Sequence, residues 1–156
     1  MKHIKVPKTG KVIKANHNGH WSFSEKMDPD KYMGFIYLVR DNYLNRFYLG
    51  KKLYRGQRGK AKGVESNWKK YMSSSNLLKE MFEARPLDEF ELICVEQYKT
   101  KSGLSWAETW TLCFVEAPTT EQWYNTRVEK IAWNVKEAIT ERHRERLHGI
   151  INGEVF

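Results

Sequence analysis

GFIYLVRDNYLNRFYLG, residues 34–50, is the stretch on which the fold turns. Gly34 to Arg40 form a short apolar run rich in β-formers, which reads as a buried strand. Asp41-Asn42-Tyr43-Leu44-Asn45 supplies turn chemistry, and Arg46-Phe47-Tyr48-Leu49 reads as the returning strand of a hairpin. Working outward, Ser75 or Asn76 caps a helix over roughly 76–84, and residues 89–98 alternate for half their length as a third strand. A helix beginning at Ser102 or Ser105 stops near Ala117-Pro118, and a last helix is expected from about Arg127 to Leu147. Val128, Ala132, Val135, Ile139 and Leu147 mark its apolar face. The expected fold class is therefore α/β (α+β): a small antiparallel three-stranded sheet flanked by helices. Residues 1–31 show no sustained period and read as a basic arm or a small added layer.

The chain has 156 residues and a formal charge of +8, with 40% apolar and 29% charged residues. That is one domain's length and too much hydrophobic material for a disordered basic tail. No apolar run reaches a membrane span, and the Lys-dotted N-terminus lacks a signal-peptide core, so no membrane partner is expected. Two cysteines, Cys94 and Cys113, make no disulfide framework, and a cytoplasmic location follows as the expectation.

The charge is unevenly placed. Residues 51–70 alone carry +7, and residues 71–126 carry −5. Within KKLYRGQRGKAKGVESNWKK (51–70), Lys51, Lys52, Arg55, Arg58, Lys60, Lys62, Lys69 and Lys70 accompany three glycines, so the stretch reads as a loop. It is either a solvated basic loop or a phosphate-contacting one, with Tyr54 and Trp68 interleaved for stacking or packing. Further on, GLSWAETWTLCFV (103–115) holds Glu108 as its single charge, with no base three or four residues away. Burying an unpaired carboxylate is costly. A distant Lys or Arg pairs with Glu108, or it lies on a wet edge, or it faces a site and holds a cation.

Tyr37 in Phe35-Ile36-Tyr37 and Tyr48 in Tyr48-Leu49-Gly50 stand 11 residues apart on the two hairpin strands, Glu108 follows on a later helix, and Trp123-Tyr124-Asn125 comes after it. In this order the four landmarks resemble the GIY-YIG nuclease family over residues 33–126, with 1–32 as an N-terminal arm and 127–156 as a C-terminal helix on the same domain. The segment Gly50-Lys51-Lys52 followed by Asn67-Trp68-Lys69-Lys70-Tyr71 and Ser73-Ser74-Ser75 is similar to a phage-encoded branch of that family, which includes homing-type enzymes.

The resemblance implies hydrolysis of a DNA phosphodiester with one divalent ion, Mg²⁺ (or Mn²⁺), bound by Glu108. Tyr37 would take a proton from the attacking water with Tyr48 assisting, and Asn125 would orient Glu108 or a water. Family members usually carry an arginine on the helix after the second motif. Here Asn67 stands in that place and Tyr71 in the later one, so Lys52 is the candidate to offset phosphoryl charge. Lys51, Arg55, Arg58, Lys60, Lys62, Trp68, Lys69 and Lys70 are the expected DNA contacts. The expected partner is double-stranded DNA, bound by a monomer or a DNA-induced dimer, in a host cytoplasm if the chain is phage-encoded. Two rivals remain: a non-catalytic DNA- or RNA-binding protein on the same scaffold, and a small zinc protein using His17, His20, Cys94 and Cys113. His143 reads as a surface residue.

Overall fold

The computed structural model describes residues 16–129 and 134–152. β1 (Gly34–Asp41) and β2 (Arg46–Leu53) pair antiparallel, and β3 (Phe90–Tyr98) joins the other side of β1, also antiparallel. The order is β2-β1-β3. At the hairpin turn Asp41 Oδ1 accepts hydrogen bonds from the backbone N–H groups of Tyr43 and Leu44, at 3.1 and 3.0 Å. Asn45 takes the left-handed conformation, with φ +53°, which asparagine tolerates better than most residues.

β2 continues four residues beyond the expected end at Leu49. Lys51 faces Ile36 and Lys52 faces Phe35 in the ladder, so these two lysines belong to the strand and not to the basic loop. Neighbouring strand residues point to opposite faces, which separates the two charges; the glycines that make the stretch read as a loop all lie beyond them.

β1 is buried along its whole length, because both faces of the sheet are covered. On one face Ile36, Leu38, Leu49 and Val95 pack against Leu104, Ala107 and Leu112 of α2 (Lys101–Phe114). On the other, Phe35, Tyr37 and Val39 meet Trp21, Phe23, Met27, Trp68 and Leu78, the last from α1 (Asn76–Ala84). Residues 21–27 thus form the added layer; the arm's first fifteen residues lie outside the described ones. Ser22 also closes the outer edge of β3, donating to Leu92 O at 2.8 Å and accepting from Cys94 N at 3.0 Å.

α1 is capped by Ser75, whose Oγ accepts from Leu78 N. α2 is capped by Thr100, upstream of both expected serines, through a 3.0 Å bond from Gly103 N. The largest difference is at the end of the chain. α3 spans Glu141–Ile151, not 127–147. Thr140 caps it, its Oγ1 accepting from His143 N at 3.0 Å. Residues 125–129 and 134–140 are not helical, because their polar groups bond other elements: Asn125 bonds β2, and Glu137 accepts from Lys99 N and Thr100 N.

Candidate active site

Tyr37 pairs with Gly50, and Val39 with Tyr48, so the two tyrosines share one face of the hairpin on a diagonal. Their ring centroids are 6.3 Å apart. The glycine is required by this arrangement: a Cβ at position 50 would lie 2.3 Å from Cζ and Oη of Tyr37, so the Tyr37 ring folds across it. Tyr71 stands edge-on to Tyr37, with centroids 5.8 Å apart. It is held there by His20, whose Nε2 donates to the Tyr71 carbonyl at 2.8 Å. Lys52 Nζ lies 4.1 Å from the Tyr71 ring centroid, a cation–π contact.

Tyr37 is 1% exposed, whereas Tyr48 is half-buried. Burial pushes both hydroxyls above the ordinary tyrosine range, and the hydroxyls of Ser73, for both, and Ser74, for Tyr48, oppose that shift by hydrogen bonding. Burial also lowers the Lys52 ammonium.

Glu108 approaches from the opposite side of β2. It is 9% exposed on α2, and Lys51 is its distant base, with Nζ 3.9 Å from Glu108 Oε1. The same ammonium donates to Ser105 Oγ at 2.9 Å and to Glu129 Oε2 at 2.7 Å. Burial and then the negative charge of Glu129 push the Glu108 carboxyl up to about 7, against the pull of Lys51. Tyr48 is also raised by the charge on Glu108, so the acid lies within electrostatic reach of the tyrosine pair across edge strand β2.

Three oxygens, from Ser105, Glu108 and Glu129, surround one positive point. This all-oxygen set suits a hard cation, and Mg²⁺ needs only one or two carboxylates when water and phosphate oxygens complete its shell. Among the described residues no group of three or more His, Cys, Asp or Glu converges, so His17, His20, Cys94 and Cys113 do not assemble a zinc site.

Other expected residues take different places. Asn125, expected to orient Glu108 or a water, is bonded to β2. Its Oδ1 accepts from Leu49 N and its Nδ2 donates to Leu49 O, both at 2.8 Å. Phe47 N donates to Gln122 O and Tyr124 N to Phe47 O, so residues 122–125 run along the outer edge of β2 and the Asn125 amide stands in for the next peptide group. Trp68 and Tyr54 are buried, and Trp68 Nε1 donates to Glu65; stacking on a base is not open to either ring. Arg58, Lys60, Lys62, Lys69 and Lys70 are exposed, while Arg55 donates to Asp30 at 2.8 Å. His143 is 0% exposed, bonded to Tyr98 and Thr111. It is a core residue, because α3 turns it inward between β3 and α2.

Sequence reasoning missed His20, Ser105 and Glu129 as parts of this constellation, and nothing in their local sequence marks them. Ser73 and Ser74 were visible only as part of a motif.

Compared with models of protein families, residues 19–128 match the one described as "Putative endonuclease segE, GIY-YIG domain". No curated protein and no solved structure matches the chain.

Proposed function

The chain belongs to the GIY-YIG endonuclease family, whose members are phosphodiester hydrolases, and on that premise we propose that it cuts double-stranded DNA with the help of one divalent ion, Mg²⁺ or Mn²⁺, at Glu108. The observation that carries this reading is the buried Glu108 carboxylate, facing an ammonium among three oxygens and near enough for its charge to act on the half-buried Tyr48.

Glu108 would hold the ion. When bound, the ion would supply positive charge to the scissile phosphate and reduce the cost of forming tyrosinate. The chain's own residues do the rest. Tyr48, the more exposed tyrosine, would face an attacking water and accept its proton. Tyr37 lies behind it with its hydroxyl against Gly50, and backs Tyr48 without meeting the water itself. That is a different division of work from the one the motif resemblance implies, and the burial of Tyr37 is the reason for it. Lys52, held over Tyr71, offers the positive charge that Asn67 does not. Arg58, Lys60, Lys62, Lys69 and Lys70 present exposed cations to the phosphate backbone, where they position DNA without reading its sequence.

One such site cuts one strand, so a single protomer nicks, and double-strand cleavage takes two protomers or two successive events. The Lys69-Lys70-Tyr71 and Ser73-Ser74-Ser75 run supports a phage or mobile-element origin.

Incubation with supercoiled plasmid tests the reading. Wild type with Mg²⁺ should give relaxed product that EDTA abolishes. Glu108→Gln should cut at least ~10³-fold more slowly while retarding the same DNA in a gel. Retained binding without any cleavage by wild type would favour the non-catalytic alternative.

A further inference from the structure

Lys51 is placed by three separate parts of the chain. Its backbone lies in β2; Ser105, one helical turn before Glu108, accepts one of its protons; and Glu129 accepts another. Glu129 is in turn tied to the helix that carries Glu108, because its carbonyl accepts from Thr109 Oγ1 at 3.2 Å. The distances are unequal in an informative way. At 2.7 Å the contact with Glu129 is a direct, charge-assisted hydrogen bond, whereas 3.9 Å to Glu108 is beyond one. The ammonium is therefore beside the buried acid without being bonded to it, while the Lys51 backbone N–H does hydrogen-bond that carboxylate.

We propose that Glu129 is a positioning residue for the cation site: by bonding Lys51 it holds the ammonium off Glu108, leaving that carboxylate open to a divalent ion. Without Glu129, Glu108 is the nearest remaining carboxylate, and Lys51 closes on it as a direct ion pair that competes with the metal. Glu129 is suited to such a role because its side chain is 63% exposed; no packing depends on its charge. The inference rests on the reading that Glu108 binds a divalent ion.

The test is a Mn²⁺ titration of the full chain without DNA, with free Mn²⁺ followed by electron paramagnetic resonance. Glu129→Gln should weaken binding roughly tenfold, and Lys51→Met should strengthen it several-fold. The decisive sample is the double variant. In the Lys51→Met background Glu129→Gln should change affinity by no more than about twofold, since no ammonium is left to compete. A loss equal in both backgrounds would mean that Glu129 acts only as a distant charge, and would overturn the proposal. Unchanged or tighter binding by Glu129→Gln alone would overturn it as well. Glu108→Gln separates the two levels: if it still binds Mn²⁺ as wild type does, the metal reading of Glu108 fails, and this inference falls with it. Loss of binding there, combined with equal effects of Glu129→Gln in both backgrounds, rejects the positioning role alone.

Discussion

At position 50 a single methyl group would stand 2.3 Å from the Tyr37 hydroxyl oxygen, and this contact couples the two family motifs. Gly50→Ala must push the Tyr37 ring out of its place beneath Tyr71 and Trp21. Overpacking of this kind costs about 1–3 kcal/mol, to be read as a lower urea midpoint, and should lower the cleavage rate because Tyr48 loses its backing. The tyrosines themselves are separable by removing one oxygen at a time. Tyr48→Phe should slow single-turnover nicking by about 10²-fold or more, and Tyr37→Phe by less. The reverse ranking would return the proton-accepting role to Tyr37. Glu108 illustrates how far one residue could be read in isolation. Its lack of a helical partner was visible in the sequence, but whether a base, water or a cation answered it depended on Lys51, 57 positions upstream.

β2 is the edge strand nearest the site, and its unpaired backbone is covered by residues 122–125 and not by another strand. Asn125 ends that cover, satisfying both the N–H and the carbonyl of Leu49 with one side chain. A carboxamide carries a donor and an acceptor on two adjacent atoms, spaced to match those of a peptide group. Asn125→Asp can accept but not donate, and Asn125→Ala can do neither; each should destabilise the domain by about 1–3 kcal/mol, measured by urea denaturation. An Asn125 that acted chiefly on Glu108 would change activity with no such loss. α3 shows a comparable dependence. Arg142 donates to Glu96 at 2.7 and 2.9 Å and also pairs with Glu25, so it joins β3, the N-terminal layer and the last helix. Glu96 is 2% exposed; burial pushes its carboxyl up, but Arg142, the Gln97 N–H and Thr140 outweigh this and hold it below the usual range. Arg142→Ala strands that carboxylate and should cost about 3 kcal/mol.

Across the whole molecule, β3, α2 and α3 converge on His143. Thr111 Oγ1 donates to Ala107 O, so it accepts from His143 Nε2–H, which leaves Nδ1 to accept from Tyr98 Oη. This neutral form has no place for a second ring proton. Burial, with Arg146 and Arg144 adding to it against Glu96, lowers the His143 pKa to about 4 from its ordinary 6.5. Between those values the unfolded chain binds more protons, so stability rises with pH. The contribution is complete above pH 6.5 and is lost as pH falls towards 4, by up to about 3 kcal/mol. Urea midpoints at pH 7.5 and 4.5 should show the drop, and His143→Gln should flatten it. The fold class, the family and the helix bearing Glu108 were all legible in the sequence, since an apolar strand run, an Asp-Asn turn and hydroxyl caps act between close neighbours in the chain. The Thr100 cap was missed by two residues and the last helix by fourteen, because periodicity from Val128 to Ile139 cannot register that Asn125 and Glu137 bond other elements. What the sequence by itself determined was the set of local elements and the order of the four landmark residues. The tertiary structure alone decided the strand order, the burial of Trp68 and His143, the pairing of Asn125 with Leu49 across 76 positions and the meeting of Lys51 with Glu129 across 78. Local pattern carries no information at such separations; only the packing of both sheet faces brings those groups together.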